Sequence, residues 1–156
     1  MTQTATAQLI DADAGLDMDG LPELLGFHVR LAQVAIYRDF STSLSELDLT
    51  QKQCATLELI GANPAVSQVD LAATLGTDRA TMMAIVDRLE GRGLMIRERS
   101  SSDRRRQHLH LTKLGHEVLA QAKAVIAEHE ARFKSRFTEA ELAALVDGLK
   151  RIHGQF

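Results

Sequence analysis

Two helical patterns that meet at Gly76 are followed by two short alternating runs, Leu94–Arg99 and Gln107–Leu111, with Asp103-Arg104-Arg105-Arg106 between them. Few folds accommodate that order. Alternation at a period of two predicts strands, and their closeness in sequence predicts a hairpin. A short helix, a turn with glycine and a longer helix predict a helix-turn-helix. Alone that pair is a weak signal, because many helical proteins contain one. A hairpin with an arginine-rich tip directly after it is far more restrictive. It forms a wing whose guanidinium groups reach a minor groove while the second helix lies in the major groove. The expected fold is mainly α with a small β-wing, a winged helix-turn-helix of six helices.

Net charge is −3, which taken alone argues against nucleic acid. The distribution reverses that. From Arg79 to Arg106 eight arginines face four acids, a surplus of four, so the rest of the chain carries −7. Phosphate attraction is a local field screened within about 10 Å, so a basic island on an acidic body still binds DNA. The chain has 156 residues, 45% of them apolar, enough for one domain with its own core. No apolar run approaches the roughly 18 residues of a membrane span. Residues 1–19 hold no basic residue and no signal-peptide core, so the cytoplasm is expected and a membrane partner is not. The single Cys54 cannot close an internal disulfide.

Residues 1–19 lack sustained periodicity and are predicted to be a mobile tail, with residues 20–156 as one domain. Gly20-Leu21-Pro22 is expected to open a first helix running to about Leu47, with Pro22 in its first turn, where a missing N–H is harmless. Its apolar residues occupy several faces: Leu24, Leu31 and Ala35 on one, Phe27, Val34 and Ile36 on others. Such a helix is buried on several sides, by a partner subunit or in a central core. Thr50–Gln53 and Thr138–Glu141 have capping-box spacing. They open a second helix that stops near Asn63-Pro64 and a sixth with Leu142, Leu145, Leu149 and Ile152. Ser67 is predicted to cap a third helix, and Thr77 or Asp78 a fourth that ends at Gly93. Thr112 starts a long fifth through Leu119, Ala122, Ile126 and Phe133.

In the fourth helix Met82, Val86 and Leu89 share the core face, which turns Asp78, Arg79, Thr81, Met83, Ala84 and Arg88 outward in varying degree. Arg79 is suited to guanine or a phosphate, Thr81 to either more weakly, and Met83 and Ala84 only to thymine methyls. Asp78 serves better as a cap. Arg88 adds a cation, and Ser67 and Gln68 at the start of the third helix join the expected DNA-contacting set. At the tip, Arg105 is expected in the minor groove, with Asp103 holding its guanidinium in a two-toothed pair. Arg104 and Arg106 would neutralise backbone phosphates. The plainer alternatives are a solvated helix face and a flexible polar hairpin, although three consecutive arginines repel one another unless an anion accepts them.

Together these residues resemble the MarR family of bacterial transcription regulators. The similarity covers roughly Leu49 to Leu119 and is strongest at Gln68–Ala72, Val86–Leu94, Asp103–Arg105 and Leu111–Gly115. It implies a homodimer joined through the first, fifth and sixth helices (residues 20–48 and 113–156), with a DNA-binding lobe at residues 49–112. Such a dimer binds a pseudo-palindromic double-stranded operator, usually represses, and is released by a small ligand or an oxidant. An activator of the same fold is the alternative. Met83 and Ala84 depart from the pattern, standing where relatives often carry polar or basic residues. Base readout by that helix is therefore expected to be thinner and operator shape more important.

The stretch Leu25–Phe40 resembles the first helix of members that control aromatic-acid catabolism, some of which respond to hydroxycinnamoyl-CoA thioesters. On that resemblance the effector is an aromatic acid or its CoA thioester. His28, Arg30 and Arg38 would be donors to a carboxylate, phenol or CoA phosphate, and Phe27, Tyr37 and Phe40 an aromatic wall. The plainer reading pairs the arginines with Asp39 or Glu46 and packs the rings in the dimer core. Peroxide-sensing relatives carry a reactive Cys early in the first helix. Cys54 lies in the second, beside Leu57, which suits a buried inert thiol better than an oxidant sensor. The six His show no metal-ligand spacing. No nucleophile–base pair, phosphate-cradling Gly loop or metal cluster is legible, so neither an enzyme nor a cofactor is expected. A winged helix used only for protein contacts would have no use for the arginine tip.

Overall fold

The fold, a computed structural model, is described for residues 15–99 and 107–154. Most of the expected tail and the whole hairpin tip, with Asp103 and Arg104 to Arg106, lie outside the described residues. Among those residues are six α-helices and two strands: α1 (Leu25–Ser43), α2 (Gln51–Ala62), α3 (Gln68–Thr74), α4 (Arg79–Gly91), β1 (Met95–Arg99), β2 (Gln107–Leu111), α5 (Lys113–Lys134) and α6 (Glu139–His153). That is a winged helix-turn-helix. No described helix is long and apolar enough to cross a membrane. The chain falls into two units, one ending at Asp39 and the other beginning at Phe40.

The first helix is shorter than its sequence pattern suggested. Leu21–Glu23 form only a 3-10 turn, and Leu24 is extended (φ −85°, ψ 121°), so α1 starts at Leu25 instead of Gly20-Leu21-Pro22. At the other end α1 stops at Ser43, and Ser45–Leu47 form a second 3-10 turn. The Ser45 hydroxyl donates to the Thr42 carbonyl at 2.8 Å. Hydroxyl side chains that bond nearby backbone in this way compete with helix continuation.

The other helix starts follow the sequence. Thr50 and Gln53 form a reciprocal capping box, as do Thr138 and Glu141, and Ser67 caps α3 with Asp70 reciprocating. Thr112 caps α5. The core of the second unit gathers Leu44, Leu57, Leu71, Met82, Val86, Leu89, Leu94, Met95 and Leu109, all essentially inaccessible. Each helix of the helix-turn-helix therefore spends its apolar stripe on one shared interior, which fixes α3 and α4 against α2 and the strands.

Three backbone junctions aim the wing. Gly93 adopts φ +70°, a left-handed conformation that suits glycine, and turns the chain out of α4. The Leu94 amide then donates back to the Leu89 carbonyl at 3.0 Å, and the Thr112 amide donates to the Leu94 carbonyl at 3.1 Å. Meanwhile the Thr112 hydroxyl donates to the Gly93 carbonyl at 2.6 Å and accepts from the Gly115 amide at 3.0 Å. A Cβ at position 115 would stand 1.9 Å from the Leu94 carbonyl oxygen. Only glycine lets α5 pass this close. Between these anchors β1 and β2 pair antiparallel, Met95 opposite Leu111 and Arg99 opposite Gln107. The Leu109 amide also bonds the Val66 carbonyl at 3.0 Å, tying β2 to the segment that leads into α3.

Two surfaces remain apolar and uncovered. No residue of α6 is buried, and Leu145, Val146, Leu149 and Ile152 on it are exposed. No described residue of the first unit is buried either, and Leu21, Leu24, Leu25, Val29, Ile36 and Tyr37 are exposed there.

Replacing glycine by alanine inside a helix normally stabilises it by up to about 1 kcal/mol. Gly115→Ala should do the opposite, destabilising by about 1–3 kcal/mol as α5 is forced off Leu94. Thermal unfolding checks the sign: an unchanged or raised midpoint would contradict the close approach.

Candidate nucleic-acid interface

The first helix of the pair is opened by Ser67, whose hydroxyl donates to Asp70 Oδ2 at 2.6 Å and accepts from the Asp70 amide at 3.3 Å. Gly76 (φ +58°) makes the turn, and the Thr77 amide donates back to the Ala72 carbonyl at 3.0 Å. Asp78 is the N-cap of α4. Its carboxylate accepts the Thr81 amide at 2.8 Å and the Thr81 hydroxyl at 2.6 Å. These bonds, the side-chain one first, hold the Asp78 carboxyl below its usual range. They also occupy the Thr81 hydroxyl proton, so towards DNA Thr81 presents lone pairs in place of the donor a phosphate needs.

Met82, Val86 and Leu89 bury the core side of α4 as expected. By helical spacing the opposite face carries Ala80, Ala84, Asp87, Arg88 and Gly91, all exposed. Arg79 and exposed Met83 share a strip along one edge of that face. Asp87 and Ala80 are outward residues that the sequence reading did not single out. Both edges of the face are clamped by arginines. On one, Arg97 reaches from β1 to the carboxylates of Asp87 and Glu90 together, its side chain only 18% exposed. On the other, Arg92 donates to the carbonyls of Leu47 and Asp48, and Arg88 pairs with the Asp48 carboxylate at 3.2 Å. Neither clamp was foreseen. The acids at i and i+3 on α4 and the alternation of Arg97 in β1 were visible, but nothing in the sequence said that the strand would pass beside them.

Register puts Arg97 opposite Leu109 and Arg99 opposite Gln107, on the face where Met95 and Leu109 are buried. The other face carries Ile96, Glu98, His108 and His110, with His110 Nε2 3.5 Å from Glu98 Oε2. Arg79 and Arg99 form no ion pair with a described residue, and both are exposed. The structure thus brings Ser67, Gln68, Arg79, Thr81, Met83, Ala84 and Arg88 onto the helix-turn-helix, and leaves Asp103 to Arg106 outside the described residues.

Phe27, His28, Arg30, Tyr37 and Arg38 belong to the first unit, Phe40 to the second. His28 Nε2 lies 2.7 Å from the Pro22 carbonyl, and its ring meets Phe27 edge-on with centroids 5.7 Å apart. Phe40 is buried, with its ring edge-on to that of His129 at 5.3 Å. His129, which no sequence pattern marked, is itself buried and also meets the Phe133 ring, with centroids 5.2 Å apart. The described residues hold no cluster of His, Cys, Asp and Glu fit for a metal ion. Cys54 is buried, and desolvation, helped by the nearby Glu58 charge, pushes its thiol up to about 11.

A model of the MarR family matches residues 49–106. A protein of Thauera aromatica described as a transcriptional regulatory protein for the hcr operon is 35% identical over 132 residues, 84% of this chain and 80% of its own length. The transcriptional repressor CouR bound to a 23-mer DNA duplex is 40% identical, with a TM-score of 0.84 over 88% of this chain and 98% of its own. CouR bound to p-coumaroyl-CoA is 38% identical, with a TM-score of 0.83 over 90% and 99% of the two chains.

Arg97→Ala should release the wing from α4 and leave two acids unneutralised on that helix, and if α4 meets the duplex this lowers duplex affinity about tenfold or more. Gel shift measures the loss and circular dichroism checks that helix content survives; unchanged affinity would deny the clamp any part in binding. With a pKa of about 11, roughly one Cys54 thiol in a thousand is ionised at pH 8, against about one in ten for an ordinary thiol of 9.0. Iodoacetamide should therefore spare Cys54 until the protein is unfolded, as mass spectrometry would record. Rapid native labelling would reopen the oxidant reading.

Proposed function

This chain belongs to the MarR family of transcription regulators, and we propose that it is a repressor released by a hydroxycinnamoyl-CoA thioester or a closely related aromatic acid. The carrying observation is the likeness to CouR, at close to two-fifths identity along almost the whole chain, in its DNA-bound and its p-coumaroyl-CoA-bound forms. A repressor works by occupying its operator until the effector favours a form that binds DNA less well.

In this reading the protein acts in the cytoplasm as a homodimer on a pseudo-palindromic operator. The uncovered apolar residues of α6 and of the first unit support a partner subunit, since exposed apolar surface of that extent is usually covered in solution. Residues 20–48 and 113–156 would dimerise, and residues 49–112 would bind DNA. Arg79 and Arg88 approach the duplex from α4, with Ser67, Gln68, Thr81, Met83 and Ala84 around them. Arg104 and Arg106 neutralise phosphates, and Arg105, steadied by Asp103, enters the minor groove. Arg30, Arg38 and His28 supply donors to the effector, and Phe27, Tyr37 and Phe40 its aromatic wall. Burial of Cys54 disfavours an oxidant as the signal.

The test is a gel shift with the promoter region of the protein's own gene, with p-coumaroyl-CoA added to the preformed complex. The expected result is salt-sensitive binding by a dimer, reversed by the thioester and not by free CoA. A monomeric protein, or a complex indifferent to p-coumaroyl-CoA and to free aromatic acids, would overturn the dimer or the effector assignment respectively.

A further inference from the structure

The two clamps on α4 differ in how firmly they hold. Arg97 is largely buried between two carboxylates. Arg92 is fixed chiefly by the main-chain carbonyls of Leu47 and Asp48, with the Asp48 carboxylate a longer 3.9 Å from its Nη1. Arg88 has neither safeguard. Among the described residues its partner is the Asp48 carboxylate, with Nη2 at 3.2 Å from Oδ2 and 3.5 Å from Oδ1. The two side chains are 58% and 72% exposed. A pair open to water on this scale is weak, screened and readily exchanged. Arg88 also borders the outward face of α4, where a phosphate is a competing acceptor of the same charge and similar geometry.

Asp48 itself adopts a left-handed backbone (φ 45°, ψ 47°) at the junction between the second 3-10 turn and α2. Aspartate and asparagine tolerate that region better than most residues.

We propose that the Asp48 carboxylate is a built-in stand-in for a DNA phosphate, holding Arg88 in the free protein and surrendering it to the duplex on binding. The inference rests on the proposed reading of the protein as an operator-binding regulator, and it makes Asp48 a determinant of affinity that never touches DNA. The exchange replaces one ion pair by another. Arg88 releases a counterion from the phosphate, but the carboxylate it leaves, still 3.9 Å from Arg92 Nη1, is only partly neutralised and draws a cation from solution, which offsets part of that salt dependence. Removing the carboxylate abolishes the competition and restores that part.

Asp48→Asn keeps the shape and the left-handed backbone while deleting the charge. Wild type, Asp48→Asn, Arg88→Ala and the double variant are titrated across a salt series with a duplex from the protein's own promoter. Asp48→Asn should bind about two- to five-fold tighter, with a steeper salt slope, and the gain should vanish when Arg88 is absent. A contact that merely props up α4 would give the opposite sign. Equal or weaker binding by Asp48→Asn overturns the proposal. So does a gain of the same size without Arg88, which would reduce Asp48 to a nearby negative charge. Absence of salt-sensitive binding by the wild-type protein would overturn the operator reading along with it, whereas normal wild-type binding with either earlier result overturns the proposal alone.

Discussion

The approach of the Leu94 carbonyl to Gly115 sets where the helix-turn-helix and the wing can go relative to α5. α4 ends, Gly93 turns the chain through a left-handed step, and the residue that follows is held from both directions by backbone bonds to Leu89 and Thr112. The Thr112 hydroxyl closes the same knot by joining the Gly93 carbonyl to the start of α5. A helix, a hairpin and a second helix are thus locked within a few residues of one another, and any side chain at position 115 would collide with the backbone. The hairpin leaves this knot in one direction only. Arg97 then fastens it to α4 a few residues further along. In the proposed reading the wing meets one groove while a helix lies in another, and that needs such a fixed angle, because two contacts on a rigid duplex cannot both form if the joint between them is loose.

The same geometry changes what the charge count means. Eight arginines from Arg79 to Arg106 suggest a strongly basic island. Three of them, Arg88, Arg92 and Arg97, are engaged by the protein's own carbonyls and carboxylates. Arg97 serves largely to offset Asp87 and Glu90, which would otherwise leave two bare carboxylates on α4. Among the described residues the field that remains comes from Arg79 and Arg99, with Arg88 on a weak tether. An acidic chain therefore presents a basic edge through where its acids are matched, more than through how many cations it has.

Local rules were enough for much of this fold. Capping residues at Thr50, Ser67, Asp78, Thr112 and Thr138 each act within three residues of themselves, so sequence spacing reveals them directly. Period-two alternation located both strands for a similar reason, since one face of each meets the core. The first helix was misjudged at both ends because its limits depend on an extended Leu24 and on hydroxyls that bond backbone instead of solvent, and apolar spacing carries no trace of either. What joins distant segments was out of reach. Asp48 and Arg88 are forty positions apart, Arg97 meets acids from another element, and His129 lies buried against Phe40 although its own sequence neighbourhood is polar. Each of those pairings is a product of packing, and a histidine or an arginine read alone looks like surface.

The outward face of α4 constrains how such a regulator can tell one sequence from another. Ala80, Ala84 and Gly91 give it a low relief, so the backbone can come close to a groove floor, but they bring no side-chain donor or acceptor to a base edge. Thr81 has already spent its proton on Asp78, and exposed Met83 offers only apolar contact. Of the residues on this helix, Arg79 alone combines exposure, position near the N-terminus and a guanidinium without an ion-pair partner among the described residues. A single bidentate contact is worth about 1–3 kcal/mol of discrimination. Picking one operator from a genome needs several times that, typically about 4–10 kcal/mol over non-specific sites. In the proposed reading the shortfall is met by positions the helix never touches, through the width and flexibility of the duplex under the wing and through the spacing of two half-sites set by a dimer. In that reading a fixed angle between wing and helix is part of the recognition itself: it converts sequence-dependent DNA shape into binding energy, and an α4 face so poor in base-reading side chains depends on it more than most.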